Sequence, residues 1–465
     1  MINELKETHN QNVDQQNGFH HLLDEMGIPY QENENFLTVG NLSYQNGWVI
    51  FLSVNSHELG DLIKNVAPVL YELKVAFSCV KSENIAEKVN DFWYGADEVG
   101  RLFTVYSNDE DITRQALKKL TMLTKCYSGP QVNNAIRVER VLYVTYITFQ
   151  QEEGSETEKK QWKFSLSAPP VKKIPFKINA AYKYWRRKRI LKRRYVPLEM
   201  IARSSKGDLL KAIDMKGFRF GWCFIKEGKS HVFVDKHGRD IKDRFKWQRQ
   251  LLQALQNDVA VPKFIDYFEQ GEECYLVMEY LEGIDLNTKI YAAHKEKKWD
   301  EWEEESRREF IGYYLQVLEI LEKMHQKGYV HRDATANNFI ILPSKELYTI
   351  DLELSYNLNT RQPDVPFTLG SFGYVSPQQA NVEVPTVKED IYAMGSLLIH
   401  VIVGRHPRNF ITLEHEVDIE GLRSLITSGP VLDLILKCLE NEPEKRPELN
   451  EIKQVIRKVF TIDIL

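Results

Sequence analysis

The stretch GYVHRDATANNFIIL, residues 328–342, constrains the fold of this chain more than any other part of the sequence. Just before it, apolar residues recur at three- and four-residue spacing between Phe310 and Met324, which predicts an amphipathic helix that ends at Gly328. Just after it, FIIL and LYTID flank the turn PSKE and predict a β-hairpin. The polar motif therefore lies on a loop between a buried helix and a hairpin, where catalytic side chains are common.

Side chains in and after this loop have the chemistry of phosphoryl transfer. Asp333 can orient an attacking hydroxyl group and accept its proton. Asn338 offers an amide oxygen and Asp351 a carboxylate, and both suit a hard cation such as Mg²⁺, so these two are the candidate metal ligands. A His-Arg-Asp sequence followed by this asparagine and a later aspartate resembles the catalytic parts of protein kinases, which makes Arg332, Asp333 and Asn338 the candidate catalytic residues.

Candidate ATP-binding residues precede the loop in the order expected of a kinase. Lys226, at the end of the apolar run RFGWCFIKEG, can bind the phosphates. Gly207, in IARSSKGDLLKAID, occupies the place of a phosphate-covering hairpin, although the full G-x-G-x-x-G pattern is absent. CYLVMEYLEG predicts a strand that ends in a hinge-like turn at Met278, Glu279 and Leu281.

Further matches follow the loop. GSFGYVSPQ, residues 370–378, is similar to the end of a kinase activation segment, with Gln378 in place of glutamate, and Asp390 and Arg446 follow in DIYAMGSLL and NEPEKRP. Taken alone, each aspartate would more often be a turn or helix-cap residue, and Lys226 a solvated strand end. The shared order of all these residues is what favours a bilobal protein-kinase-like domain.

The segment after Lys226 lacks an acidic partner for that lysine. Active kinases pair this lysine with a glutamate, but no glutamate lies between Gly228 and Glu269, and Gln248 occupies the matching place in RDIKDRFKWQRQLLQALQ. A glutamine can accept a hydrogen bond from Lys226, but without the charge assistance that roughly doubles its strength. We expect Gln248 to belong to the ATP site, and activity to be reduced or to depend on a partner.

Length and composition exclude several classes of protein. A chain of 465 residues is expected to form two or three domains. The net charge of −5 argues against general nucleic-acid binding, and five scattered cysteines without CxxC or Cys-His pairs predict neither a disulfide framework nor a zinc site. No apolar run reaches about 18 residues and the N-terminus is polar, so we expect no membrane span, no signal peptide and a cytoplasmic location.

The chain divides into four predicted parts. Residues 1–40, rich in Asn and Gln, are expected to be loosely ordered, residues 41–150 to form a small α/β domain, residues 151–195 a linker, and residues 196–465 the kinase-like domain. The linker ends in AYKYWRRKRILKRRY, with eight Lys or Arg residues between positions 183 and 194. This segment could dock an acidic peptide or the other domain, or it could be a solvated helix face, and both interpretations stay open.

The whole arrangement resembles the class III lanthipeptide synthetases. A strand beginning with Gly-Trp, the sequences GRLFTVY and SGP, a basic linker, and a kinase with D-x-T-x-x-N and with D-L-E in place of D-F-G are similar to that family. The resemblance implies an α+β architecture, in which a small α/β lyase-like domain precedes a bilobal Ser/Thr kinase domain that uses ATP and Mg²⁺. It also implies a ribosomally made precursor peptide as substrate. Because the chain ends at Leu465 without that family's cyclase, a separate lyase or cyclase is an expected partner.

The same resemblance predicts that the lyase-like domain is inactive. In that family a lysine removes the α-proton, a histidine protonates the leaving phosphate, and cations hold the phosphate. The matching positions here hold Ser78, Phe51 and Phe92, with Arg101 as the remaining cation. Serine and phenylalanine cannot do this acid–base work near neutral pH. His57 and Lys81 are the groups to consider if the register is shifted.

The sequence therefore favours an ATP-dependent Ser/Thr kinase that acts on a precursor peptide. One alternative is a scaffold that recruits a peptide to a partner synthetase without transferring phosphate. A second alternative is a small-molecule phosphotransferase, against which GSFGYVSP and the C-terminal helices argue. Transfer of phosphate from ATP separates the kinase from the scaffold.

Overall fold

A computed structural model gives the structure of most of the chain. It describes residues 18–41, 46–91, 93–95, 97–151, 162–166, 174–182, 190–203, 206–216, 221–235, 237–368 and 370–460. Phe92 and residues 183–189 of the basic stretch lie outside the described residues.

The N-terminal domain is built on an antiparallel sheet with helices packed on one face. Its strands are β1 (Gln31–Glu32), β2 (Phe36–Val39), β3 (Asn46–Leu52), β4 (Ala76–Val80), β5 (Phe103–Ser107), β6 (Ile136–Glu139), β7 (Leu142–Gln151) and β8 (Trp162–Leu166). Its helices are α1 (His20–Glu25), α2 (Leu59–Glu72), α3 (Glu83–Asn90) and α4 (Glu110–Leu123). The described strands pair in the order β1–β2–β4–β5–β3–β7–β6, and β8 also pairs with β7.

The core of this domain lies between the sheet and the amphipathic helices. In α2, apolar residues at helical spacing, such as Leu62 and Val66, are fully buried against the sheet. Each such side chain contributes about 1.5–3 kcal/mol of hydrophobic stabilisation. Because side chains alternate along a strand, the opposite face carries a second, smaller cluster that includes Phe51, Tyr106 and Tyr143.

The N-terminal domain extends past both predicted boundaries. Residues 1–40 are expected to be loosely ordered, but from residue 18 onward they form α1, β1 and β2, and Leu22 and Leu23 are buried. A few apolar side chains packed against α2 outweigh the polar composition of this segment. Residues 151–195 are expected to be a linker, but β8 pairs with β7 and the Phe176 ring packs edge-on against Trp48, with 4.9 Å between ring centroids.

The second domain begins with a small lobe of five described strands and one helix. Its elements are β9 (Tyr195–Arg203), β10 (Asp208–Asp214), β11 (Gly221–Gly228), α5 (Ile241–Leu255), β12 (Phe264–Gln270) and β13 (Glu273–Glu279). The strands are antiparallel in the order β12–β13–β11–β10–β9. Asp240 begins α5 with a capping box, and Phe245 and Leu252 bury its inner face.

The large lobe is mainly helical. Its elements are β14 (Ile284–Asp285), α6 (Leu286–Glu296), α7 (Glu304–Gln326), β15 (Tyr329–Val330), β16 (Phe339–Ile341), β17 (Leu347–Thr349), β18 (Tyr356–Asn357), α8 (Pro377–Ala380), α9 (Lys388–Val403), α10 (Ile419–Leu425), α11 (Gly429–Cys438) and α12 (Leu449–Phe460). Every residue of α9 from Glu389 to Ile402 is buried, so α9 is the central helix of this lobe. The predicted helix ends as expected, since Gly328 adopts a φ of +80° directly after the α7 C-cap, Lys327.

The observed architecture is the predicted α+β class, with a small β-rich domain before a bilobal domain. The two domains touch through Arg137 on β6, whose guanidinium lies 2.5 Å from Glu272, in the turn before β13. Within the described ranges, no helix combines the length and apolar character that crossing a membrane requires.

Candidate active site

The His-Arg-Asp loop is fastened by the buried carboxylate of Asp390 on α9. Asp390 accepts hydrogen bonds from the backbone N–H groups of His331 at 2.9 Å and Arg332 at 2.8 Å, and its Oδ2 lies 2.8 Å from His325 Nε2. Burial alone would raise the pKa of Asp390, but the hydrogen bond and charge of His325 hold that pKa below its ordinary value. An ionised Asp390 therefore fixes the loop backbone.

His331 connects the loop to the hairpin that follows it. Burial lowers the pKa of His331, so its ring is neutral near pH 7. Its Nδ1 accepts from the backbone N–H of Asp333 at 3.2 Å, so Nε2 carries the proton and donates to Thr349 Oγ1 at 2.7 Å. These contacts fix the backbone at Asp333 and thereby position its side chain.

Asp333 and Asn338 lie against each other at the end of the loop. Asn338 Nδ2 donates to Asp333 Oδ2 at 2.7 Å and to the Asp333 carbonyl oxygen at 2.8 Å. Ser371, in the predicted activation segment, donates to Asp333 Oδ1 at 3.3 Å. Burial raises the pKa of Asp333, and the nearby charge of Asp351 raises it further. The loop thus presents a carboxylate whose proton affinity is higher than that of an exposed aspartate.

Lys226 joins the small lobe to the large lobe. Its Nζ lies 3.0 Å from Asp351 Oδ2 and donates to Gln248 Oε1 at 3.4 Å, so the residue at the predicted position on α5 does contact this lysine. Gln248 also donates from Nε2 to the carbonyl oxygen of Ile350 at 3.3 Å. Burial would raise the pKa of Asp351, but the charges of Lys226 and Lys206 hold that pKa below its ordinary value. Asp351 is therefore ionised.

Gly207 lies in the turn between β9 and β10, close to β11. Its φ is +152°, and a Cβ atom at this position would collide with the carbonyl oxygen of Glu227. Only glycine fits both the backbone conformation and the close approach. Because Leu209 pairs with Lys226, this turn lies beside the end of β11 that carries the lysine.

The predicted hinge follows β13. Met278 is buried at the end of this strand, where it pairs with Phe224 of β11. The backbone N–H of Glu279 donates to the carbonyl oxygen of Lys263 at 2.9 Å, and Leu281 follows in the segment that leads to β14. The turn, the lysine strand and the hinge therefore lie on neighbouring strands of one sheet.

Arg332 is held inside the large lobe and is only 3% exposed. Its Nε donates to Glu389 at 2.7 Å, and its Nη1 donates to the carbonyl oxygens of Leu354 at 3.2 Å and Phe367 at 3.0 Å. Its φ of +66° is unusual for a residue other than glycine, and such conformations cost about 1–3 kcal/mol. These contacts favour a positioning role for Arg332 over direct contact with a substrate.

The end of the predicted activation segment is tied to the C-terminal helices. Arg446 donates to Gln378 Oε1 at 2.7 Å, to the carbonyl oxygen of Glu440 at 2.7 Å and to that of Lys388 at 2.9 Å. The glutamine that replaces the expected glutamate thus keeps a hydrogen bond to this arginine.

One ion pair of the site is missed by the sequence analysis. Lys206, directly before Gly207, pairs with Glu353, the third residue of D-L-E. Burial lowers the pKa of Lys206 to about 8, and the charge of Asp351 opposes this shift. The available signals are a lysine in the shortened glycine turn and a glutamate two residues after Asp351, but the pair is visible only once both segments are placed together.

The donor set fits a nucleotide with Mg²⁺. Asp351 is ionised, and the Asn338 amide nitrogen faces Asp333, which leaves the amide oxygen for a cation. Magnesium is commonly held by one or two protein ligands together with phosphate oxygens. Accordingly, the absence of any cluster of three His, Cys, Asp or Glu side chains able to hold a metal, among the described residues, is no obstacle.

The positions predicted for lyase chemistry lie in one row across the N-terminal sheet. Phe51 on β3 pairs with Thr104 on β5, and Thr104 pairs with Ser78 on β4, so the three side chains share a face. Ser78 Oγ lies 2.8 Å from Tyr106 OH, and burial raises the pKa of that phenol. The Arg101 guanidinium lies 4.9 Å from the centroid of the Phe51 ring. A cation, Arg101, therefore lies beside the row, but the row itself has no side chain that acts as a base at neutral pH.

The two alternative groups lie outside this row. His57 belongs to the short 3₁₀ helix Ser56–Glu58 after β3. Lys81 follows the end of β4 and forms an ion pair with Glu32 at 3.4 Å. Neither side chain therefore lies in the row formed by Phe51, Thr104 and Ser78. The predicted phosphate position, Phe92, lies outside the described residues.

Comparison with known families agrees with this geometry. Residues 231–458 match the family model described as "Protein kinase domain". The second domain has the fold of a protein kinase domain. The matched residues begin just after Lys226 and include α5, the His-Arg-Asp loop and Asp351. Residues 35–185 match the family model described as "RamC, N-terminal domain", a span that also covers β8 and Phe176.

The similar proteins include Ser/Thr protein kinases. Serine/threonine-protein kinase B of Synechocystis is 25% identical over 257 residues, which are 53% of this chain and 43% of that protein. Serine/threonine-protein kinase PrkC of Bacillus subtilis is 28% identical over 235 residues, which are 48% of this chain and 34% of that protein. Serine/threonine-protein kinase nekl-2 of Caenorhabditis elegans is 24% identical over 258 residues, 50% of this chain and 69% of that protein. The match thus covers less than half of the two bacterial kinases.

Proposed function

We propose that this protein transfers the γ-phosphate of ATP to a Ser or Thr hydroxyl group of a ribosomally made precursor peptide. The observation that carries the proposal is the single cluster formed by Lys226, Asp351, Asn338 and Asp333. It combines a cation for phosphates, two oxygen donors for a metal and a carboxylate for the acceptor hydroxyl. The match to the protein kinase domain and the Ser/Thr kinase relatives support this reaction class.

Each group has one task in this proposal. Lys226 binds phosphate oxygens, while Asp351 and Asn338 hold Mg²⁺, which neutralises phosphate charge when it is bound. Asp333 orients the acceptor hydroxyl and takes up its proton, a role for which its raised pKa is favourable. Gly207, Met278, Glu279 and Leu281 enclose the nucleotide, and Gln248 and Arg332 position Lys226 and the loop.

The proposed substrate class rests on the N-terminal domain. RamC is a lanthipeptide synthetase, and residues 35–185 match the model of its N-terminal domain. This match supports a precursor peptide as the phosphate acceptor and a class III synthetase-like pathway. A separate lyase or cyclase would then process the product.

We further propose that the N-terminal domain does not eliminate the phosphate. β-Elimination needs a base for the α-proton and an acid for the departing phosphate. The positions assigned to these groups hold Ser78 and Phe51, and Ser78 is engaged with Tyr106. Phosphorylated Ser or Thr should therefore be the final product of this protein.

The experiment combines purified full-length protein, ATP, Mg²⁺ and a Ser/Thr-rich precursor peptide encoded beside its gene, with mass spectrometry of the peptide. We expect the peptide mass to rise by whole phosphates, with no species lighter by water. Nucleotide binding without transfer would favour the scaffold alternative. Dehydrated peptide formed by this protein alone would contradict the inactive-lyase proposal, and transfer only to small molecules would contradict the substrate class.

A further inference from the structure

The ion pair between Lys206 and Glu353 connects two parts of the site that belong to different lobes. Lys206 lies in the turn between β9 and β10, and its ammonium contacts Glu353 Oε1. Glu353 is two residues beyond Asp351, and its backbone N–H lies 3.4 Å from Asp351 Oδ1. The pair therefore runs from the turn that would cover the phosphates to the segment proposed to hold the metal.

The backbone fixes the starting point of the Lys206 side chain. The carbonyl oxygen of Lys206 accepts from the backbone N–H of Lys229 at 2.8 Å. Two residues on, the backbone N–H of Asp208 donates to Glu227 Oε2 at 3.1 Å. Because both contacts are to the end of β11 and the residue after it, the turn is held beside the strand that carries Lys226, and both lysines reach the same region.

The environment of Glu353 shows that the pair is not fully satisfied. Glu353 is 5% exposed, and its Oε2 has no hydrogen-bond partner among the described residues. A buried carboxylate oxygen without a partner is unfavourable, so the ion pair with Lys206 leaves Glu353 incompletely satisfied. The turn itself has one glycine where G-x-G-x-x-G has three, and therefore fewer places where its backbone can approach a phosphate closely. A lysine side chain next to that glycine can supply the missing contact.

We propose that Lys206 is a phosphate ligand of the nucleotide site, and that Glu353 holds it there until the phosphates of ATP replace the carboxylate. This inference rests on the proposed function, because it requires ATP in this cleft. A polyphosphate offers more negative charge and more acceptor oxygens than one carboxylate, so it competes successfully for the ammonium. Lys206 and Lys226 then bind phosphates from the turn and from β11.

The test is calorimetric titration of the full-length protein with ATP and Mg²⁺, and separately with adenosine. Lys206→Met should raise the Kd for ATP by about tenfold or more, because it removes a charged hydrogen-bond donor. The Kd for adenosine, which has no phosphate, should stay the same and also shows that the variant is folded. Glu353→Gln should lower the Kd for ATP, because it removes the competing charge. Lys242→Met, which breaks a Lys–Glu pair with Glu269 on β12, is the matched control and should change neither constant.

Opposite effects of the two variants distinguish this role from simple fastening of the turn. If the pair only fastened the turn, Lys206→Met and Glu353→Gln would both weaken ATP binding, and that result overturns the inference. Lys206→Arg should keep the affinity, because it keeps the charge. If the wild-type protein binds ATP and Lys206→Met binds it equally well, the inference fails while the proposed function stands. A wild-type protein that does not bind ATP overturns both.

Discussion

The two domains of this chain differ in the side chains that occupy their candidate sites: charged groups in one, and uncharged groups in the other. In the kinase domain, Asp390 and Lys226 are each engaged by groups from distant segments, and these contacts fasten the loop backbone and join the lobes. In the N-terminal domain, the row of Phe51, Thr104 and Ser78 is filled by a ring and two hydroxyl groups. A sheet keeps its register through backbone pairing and cross-strand packing, which need no ionisable group. The His-Arg-Asp loop is held by the charged side chain of Asp390, so the loop would move if that charge were lost.

The largest expected effect is at Asp333. Asp333→Asn should lower the rate of phosphate transfer by about 10²–10⁴-fold, because it removes the proton acceptor, while the Kd for ATP changes little. Initial rates and calorimetry measure the two quantities. Ser78→Ala is the matched change in the N-terminal row and should leave the transfer rate unaltered. A normal rate in the Asp333 variant would show that another group accepts the proton.

The second prediction concerns stability and not chemistry. Phe51→Ala should lower the free energy of unfolding of the N-terminal domain by about 3–5 kcal/mol, because it removes a fully buried ring. Thermal unfolding followed by circular dichroism measures the loss, and Tyr71→Ala, at a side chain that is 46% exposed, should cost far less. Transfer by the folded variant should be unchanged. Lost transfer at full stability would mean that the row takes part in catalysis.

The third prediction separates the metal from the nucleotide. Asp351→Asn should raise the Kd for ATP about tenfold in the presence of Mg²⁺, because it removes the charged metal ligand. Without Mg²⁺ the same variant should bind ATP no more weakly than the wild-type protein. Titrations with and without Mg²⁺ show whether Asp351 holds the metal. Equal weakening of ATP binding in both would mean that Asp351 only positions Lys226.

The smallest expected effect is at Gln248. Gln248→Glu should raise kcat by less than about tenfold, because a carboxylate forms a charge-assisted contact with Lys226. Gln250→Glu adds the same charge on the exposed side of α5 and should have no effect. A lower kcat in the Gln248 variant would show that the contact of its amide nitrogen with Ile350 matters more than the added charge.

Local signals are sufficient to predict the elements around the His-Arg-Asp loop. The spacing of apolar residues in α7, the positive-φ glycine after it and the turn before β17 all lie within about 40 residues of Asp333, so local periodicity and turn chemistry predict them. Gln248 is also predictable from the sequence, because it lies on the first helix after Lys226. These elements were predicted because their contacts are close in sequence or follow a fixed order.

Long-range pairing explains what the sequence could not predict. Composition conceals the role of residues 18–40, because Leu22 and Leu23 are buried only when α1 packs against α2. The strand order β4–β5–β3 is not the chain order, so the common row of Phe51 and Ser78 requires the structure. Lys206 and Glu353 are likewise far apart in sequence, and no local pattern joins them.

The contacts of Arg332 have a consequence for control of the proposed kinase. Its Nε already donates to Glu389, and its Nη1 donates to the carbonyl oxygen of Phe367. A phosphate added to the segment around Phe367 would have to displace a buried carboxylate before it could bind this arginine. The contact between Arg332 and Phe367 thus forms in the unmodified chain and needs no phosphate. For the proposed kinase, Arg332 is therefore held in place by contacts of the chain itself, before any modification of this segment.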